Sequence, residues 1–335
     1  MKRKKMGIRF EFFEAGCGDS IWVETENTNI LIDGGLTSTY RKSIQRKLSK
    51  VQFLDKVIVT HIDNDHICGV IALIKDNLRR KKIKELWFNS CDVISVNSNN
   101  KEIGTGQSIL LEKLLLKHNV NYRSDIYLSK NNFYSLSKDL TLTLLSPKQE
   151  DLEELKKKLE DEDAKYCNGR LATEISSKKC SDNRIITDIE FIYERDTSLN
   201  NKTSIAFILD YKYQQKFLFL ADAHIDIIIE SLQKLGYSKK NRLKVDFVKL
   251  SHHGSKHNIN EKFLELIDTS KFVTLTNCSK FEHPDKDTYS LIINNEFFKE
   301  KKIEFIFNYK SSYVNKFSQE DFKNKNFTIK HTKEI

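Results

Sequence analysis

The chain has 335 residues, 39% hydrophobic and 31% charged, and its 56 Lys and Arg against 47 Asp and Glu give a formal charge of +9. This suits a soluble globular protein of one domain with insertions, and the lack of a long apolar segment excludes an integral membrane protein or a channel. Six cysteines, Cys17, Cys68, Cys91, Cys167, Cys180 and Cys278, form no CxxC pair, which argues against a zinc knuckle or a disulfide scaffold.

The basic opening Met1-Lys2-Arg3-Lys4-Lys5 leads into no signal-peptide core, so a cytoplasmic location is expected. Residues 8–13 and 21–25 read as a strand hairpin around the loop Glu14 to Ser20. Asn29-Ile30-Leu31-Ile32 is a further strand that ends at Asp33-Gly34-Gly35, and residues 40–55 hold a basic amphipathic helix. Val57-Ile58-Val59-Thr60 is a β-branched run, read as a buried strand that stops at His61-Ile62-Asp63-Asn64-Asp65-His66. A turn there lets Asp65 and His66 point back, and Cys68-Gly69-Val70 opens a helix through about Lys75. A strand over 83–89 follows, then Gly104-Thr105-Gly106 and a helix from Gln107 to Lys117; the GxxxxGK[ST] phosphate loop is absent. Residues 125–128 and 140–145 read as strands, the second ended by Pro147, and Glu150 to Lys165 as a charged helix. Residues 148–200 as a whole read as an insertion at the edge of the site or mobile near it. Sheet resumes with Ser204 to Leu209, the strand ending at Asp222, and residues 244–250, 272–276 and 303–308. The polar tail from Lys316 holds an edge strand near Phe327.

Four candidate ligands fall within His61 to His66, and imidazole nitrogen with carboxylate oxygen suits Zn or Mn. Burying such groups is costly unless a cation or hydrogen bonds compensate them. Other strands also end in ligand-type residues, at Asp33, at Asp222 and at His252-His253-Gly254-Ser255, so a rigid base carries them. Ser255 reads as a turn or cap residue, since no GxSxG nucleophile elbow exists. Lys249 reads as a catalytic group or as a surface salt bridge. His283 precedes Pro284, which limits the backbone before it, and reads as a substrate-positioning or acid group or as a structural loop histidine.

The pattern His61-x-Asp63-x-Asp65-His66, with Asp33-Gly34-Gly35 before it and Asp222 and His252-His253-Gly254-Ser255 after it, resembles the metallo-β-lactamase fold superfamily. More narrowly it resembles the soluble hydrolase domain of the ComEC/Rec2 competence proteins and their stand-alone relatives, over roughly residues 8–95 and 200–310. The resemblance implies a single α+β domain, an αββα sandwich of two sheets covered by helices. It implies His61 and Asp63 at one metal position, Asp65 and His66 at the other, Asp222 bridging them, and His252 in preference to His253 as a further ligand. Asp33 then supports the metal loop by hydrogen bonds without coordinating. Where the usual member has a histidine, Asp63 matches the competence subgroup and favours a harder ion. Asn201-Lys202-Thr203-Ser204 stands where most members supply another histidine, so one or two ions of Zn or Mn are expected. The implied function is a metal-dependent hydrolase, a nuclease or phosphodiesterase cleaving DNA through metal-activated hydroxide, with Asp65, Asp222, Lys249, His253 and His283 as its catalytic groups. Two alternatives stay open: a small-molecule phosphodiesterase or lactonase-type hydrolase, and a regulatory or effector subunit with a weakened metal site. DNA and a protein from the same functional system are the expected partners.

Overall fold

The structure, a computed structural model, describes residues 7–90, 106–166, 181–279, 282–323 and 326–335. The chain divides into two compact units. One takes the residues up to Tyr127, the helix Gln149–Tyr166 and Glu334–Ile335; the other takes Leu128–Pro147 and the described residues from Ser181 to Lys333. The stretch expected as one insertion is therefore shared between the units.

The first unit is built on a six-stranded sheet in chain order: β1 (Arg9–Phe12), β2 (Ile21–Glu24), β3 (Asn29–Ile32), β4 (Lys56–Ile58), β5 (Leu86–Trp87) and β6 (Tyr122–Arg123). β1 to β3 form an antiparallel meander, as the tight first loop allows. From β3 to β6 the pairing is parallel, and each parallel step needs a crossover long enough to hold a helix. The crossover after β4 contains the helix Asn64–Lys75, whose Ile67, Val70, Ile71 and Ile74 recur at helical spacing. They share one core cluster with Trp22, Leu31, Val57 and Leu86 of the sheet and Leu111 and Leu115 of the helix Gln107–Lys117.

The second unit carries an eight-stranded sheet whose spatial order is β16-β15-β14-β12-β10-β9-β8-β7. β7 (Phe133–Ser137), β8 (Leu140–Ser146), β9 (Ala206–Tyr211) and β10 (Gln215–Phe219) run antiparallel. From β10 through β12 (Phe247–Lys249), β14 (Lys271–Thr274), β15 (Ile303–Phe307) and β16 (Phe327–His331) the pairing is parallel. A small parallel pair joins β11 (Leu243–Lys244) to β13 (Ile267–Asp268). The helix Ile225–Lys234 turns Ile225, Ile228, Ile229 and Leu232 into this unit's core, and its Ser231 hydroxyl donates to the Leu145 carbonyl at 2.6 Å. Mixed sheets with helices make the chain an α+β fold, consistent with the expected αββα architecture.

Local expectations changed in five places. The helix read as opening at Cys68 begins at Asn64, because Asp63 keeps an extended backbone and stands as its N-cap residue. The helix expected over 40–55 stops at Leu48, where the Lys82 ammonium takes the Leu48 and Val51 carbonyls, each at 2.6 Å. Residues 125–128 are not a strand; the partner of β5 is Tyr122–Arg123. The run 244–250 splits into β11 and β12, which belong to different sheets. Cys278, which spacing left unpaired, is disulfide-bonded, while Cys17 and Cys68 take part in no disulfide. Residues 104–105, Cys91, Cys167 and Cys180 lie outside the described residues. No described helix is long and apolar enough to cross a membrane.

Candidate metal centre

In the first unit the ligand-type side chains gather at the carboxyl ends of β3 and β4. Asp33, directly after β3, is fully buried and has a left-handed backbone, φ 55°. Its Oδ1 accepts the Thr60 amide at 2.8 Å and its Oδ2 the Thr60 hydroxyl at 2.7 Å. The same Oδ2 lies 2.9 Å from Nδ1 of His66, which is also fully buried. A carboxylate only accepts, so Nδ1 of His66 carries the proton and Nε2 carries the lone pair. His66 and Asp65 occupy the first helical turn after β4, where backbone dipoles already favour negative charge. His61 is buried, with its Nδ1 3.1 Å from the Thr60 hydroxyl and its ring centroid 4.1 Å from that of His66. Asp63 is half-buried, its carboxylate 3.8 Å from Nε2 of His61.

Two close approaches seat these groups. A Cβ on Gly18 would stand 1.8 Å from the Asp65 carbonyl oxygen, so only glycine lets the first loop lie against the start of the helix. A Cβ on Gly69 would stand 1.9 Å from the Gly34 carbonyl oxygen. Backbone bonds cross that contact both ways, Gly34 N–H to the His66 carbonyl and Gly69 N–H to the Gly35 carbonyl, each 2.8 Å.

In the second unit the groups gather at the ends of β10 and β12. Asp222 is buried, and its Oδ2 lies 3.5 Å from Nε2 of His253 and 3.9 Å from Nε2 of His252. Nδ1 of His253 donates to the Leu275 carbonyl at 2.8 Å, which puts the ring's lone pair on Nε2. Ala221, His252 and His253 all have positive φ, 46°, 44° and 55°, a strained backbone held where the ligand-type groups converge. Lys249 is buried, its ammonium donating to the Ala221 carbonyl at 3.1 Å and 3.9 Å from Asp222, so the surface salt bridge is excluded. His283 is half-buried with its ring centroid 4.8 Å from that of His252 and its Nδ1 3.1 Å from Asp285. Burial holds the His283 pKa below the ordinary histidine value, against the pull of Asp285. Ser255 is the expected cap residue and accepts the His257 amide at 3.3 Å.

Sequence reading passed over Asp196, which binds His252, Asn201 and Asn258 in this second cluster. Burial opposes a charge on His252, but Asp196 and Asp222 outweigh it and push its pKa up to about 9. No local motif marks Asp196, which lies in the stretch read as irregular. The donor set fits a divalent ion: buried imidazoles with their Nδ1 already engaged, beside buried carboxylates. In the first unit alone, ligand atoms of Asp19, Asp33 and His66 lie within 4.8 Å of one another. These His and Asp clusters are consistent with the metal-binding site of a metal-dependent hydrolase.

Residues 16–77 match the family described as the metallo-beta-lactamase superfamily. Exodeoxyribonuclease WalJ of Streptococcus pneumoniae is 29% identical over 105 residues, 30% of this chain and 39% of that protein. The match thus spans about two fifths of the relative's length. Among solved structures, the metallo-beta-lactamase fold protein YhfI of Bacillus subtilis has a TM-score of 0.41 at 7% identity, covering 97% of this chain and 98% of its own. The metallo hydrolase Igni18 of Ignicoccus hospitalis has a TM-score of 0.42 at 12% identity, covering 97% and 95%.

Proposed function

We propose that this chain, a member of the metallo-β-lactamase fold superfamily, is a metal-dependent phosphodiesterase that acts on DNA. One observation carries the reading. In each unit a buried histidine, His66 or His253, has Nδ1 tied to a fixed acceptor, which puts the ring's lone pair on Nε2, the kind of atom a cation takes. We assign His61, Asp63, Asp65 and His66 of the first unit and Asp222 of the second as metal ligands, with Zn or Mn as the metal. His253 takes the further ligand role in place of His252, since it is the more buried of the two and the nearer to Asp222. A divalent ion in such a site acidifies water and neutralises developing negative charge.

The chain's own groups do the rest. The Lys249 ammonium, held beside Asp222, offsets negative charge on the phosphoryl oxygens. His252, the more exposed imidazole, exchanges protons with solvent. His283, fixed by Asp285, positions the substrate. DNA as substrate class is supported by the +9 charge and by the partial match to an exodeoxyribonuclease.

Wild type and Asp222→Ala should be assayed together on linear and circular DNA, RNA, cyclic nucleotides, small phosphodiesters and a lactone, in Mn and in Zn. Wild type should cleave DNA, and Asp222→Ala should lose cleavage while keeping its circular dichroism spectrum. Turnover of a cyclic nucleotide or lactone without cleavage of DNA or RNA would overturn the nuclease reading and keep the hydrolase one.

A further inference from the structure

The first unit has a second edge of different chemistry, at the amino ends of its parallel strands. His61, Asp65 and His66 follow the carboxyl end of β4. The helix Asn64–Lys75 runs back from there over 12 residues, about 18 Å, and delivers the chain to the start of β5. The loop that follows it reads Asp76-Asn77-Leu78-Arg79-Arg80-Lys81-Lys82. Its conformation is fixed by side chains. Oδ1 of Asp76 accepts the amides of Leu78 and Arg79, each at 3.0 Å. Oδ2 of Asp76 accepts the Tyr40 hydroxyl at 2.6 Å and the Arg79 guanidinium at 2.8 Å. The Lys82 ammonium on the Leu48 and Val51 carbonyls ties the loop to the segment before β4.

This fixed loop holds an apolar side chain out in water. Leu78 is 75% exposed, where a leucine is ordinarily buried. Phe53, on the segment bonded to the loop, is 43% exposed. The two segments join at Leu54, whose amide donates to the Lys82 carbonyl and whose carbonyl accepts the Lys84 amide, each at 2.9 Å. Cations rim the apolar pair. Lys50, Lys75 and Lys81 are exposed and Arg80 is half-buried. Three carboxylates of this edge are engaged: Asp55 by Lys84, Asp76 by Arg79 and Glu85 by Lys56. Glu26, on the turn before β3, is the exposed acid here and is outnumbered by the four cations.

We propose that this edge docks the protein on an anionic phospholipid bilayer: Leu78 and Phe53 enter the headgroup boundary, and Lys50, Lys75, Arg80 and Lys81 meet the lipid phosphates. Two observations favour lipid over nucleic acid. Apolar side chains inside a basic rim suit an anionic lipid interface, which rewards both, whereas the phosphate backbone of a duplex rewards the cations alone. The edge also lies a full helix length from His61, Asp65 and His66, so a DNA strand seated on it is not thereby brought to those ligands. A bilayer bound at the amino ends leaves the carboxyl ends of the same strands turned away from the lipid. The docking surface stands whether or not the protein is a hydrolase.

The test sediments the full-length protein with vesicles of phosphatidylcholine alone or with about 30% phosphatidylserine, the lipid that supplies the negative surface potential. Wild type should bind the serine-containing vesicles and stay in solution with phosphatidylcholine alone. Leu78→Ser should weaken that binding by about tenfold, the low end for burying one leucine side chain. The double variant Lys50→Gln/Lys81→Gln should weaken it by about 25-fold, about fivefold for each cation. All three side chains are exposed, so the unfolding midpoints should match wild type. Lys299→Gln/Lys302→Gln, a change at two exposed lysines of the second unit, is the control and should bind as wild type does. Equal binding to both vesicle compositions, no binding to either, or an equal loss in the control overturns the proposal. So does full binding by Leu78→Ser when Lys50→Gln/Lys81→Gln loses both vesicles and a labelled DNA duplex, which would make the edge a nucleic-acid surface.

Discussion

Asp33 shows how much one buried carboxylate can hold. It satisfies the amide and hydroxyl of Thr60 and orients His66, with no exposure to water. Asp33→Ala should leave buried donors without an acceptor and cost about 1–3 kcal/mol of stability, measured by urea unfolding. It should also weaken metal binding by about 10–100-fold, read by elemental analysis after dialysis against graded free metal. Equal metal content in wild type and Asp33→Ala would remove Asp33 from the support role. The aspartate's place after an apolar run made this residue legible in sequence. Asp196 was illegible because its partners come from residues 198–201, 224 and 252–258, and no spacing rule links those stretches.

At the scale of elements, the helix Asn64–Lys75 carries the argument. Its apolar spacing was readable, yet its start was not, since Asn64 and Asp65 read equally well as turn residues. Docking decides the matter: the Gly34 and Gly69 backbones come together only because neither has a side chain. Gly69→Ala should therefore cost about 1–3 kcal/mol, the range for overpacking a filled site, even though alanine is the better helix former. A denaturation midpoint raised by Gly69→Ala would mean that helix propensity outweighs the contact.

For the molecule as a whole, the net charge of +9 is the property that bears on partners. If phosphate contacts carry DNA binding, the logarithm of the binding constant should fall linearly with the logarithm of salt concentration. The slope should be about −0.9 for each phosphate neutralised on duplex DNA. Fluorescence anisotropy on a labelled duplex measures this in a metal-free buffer, where binding is separated from cleavage. A flat salt dependence would show that the excess of lysine is spread over the surface without serving DNA.

The sequence alone determined the order of the motifs, the strand runs that end in Asp33, His61, Asp222 and His252, and the α+β class. These are legible because a strand run and the polar residues that end it are adjacent in the chain, so hydrophobic patterning places them directly. Only the tertiary structure decided that Lys249 is buried beside Asp222, that His253 turns Nε2 to Asp222 with Nδ1 on the Leu275 carbonyl, and that the Asp196 carboxylate lies 3.5 Å from His252. Each of these depends on which hydrogen-bond acceptor meets which ring nitrogen across distant stretches. Such pairings are set by how strands and loops pack, and one-dimensional spacing carries no record of them.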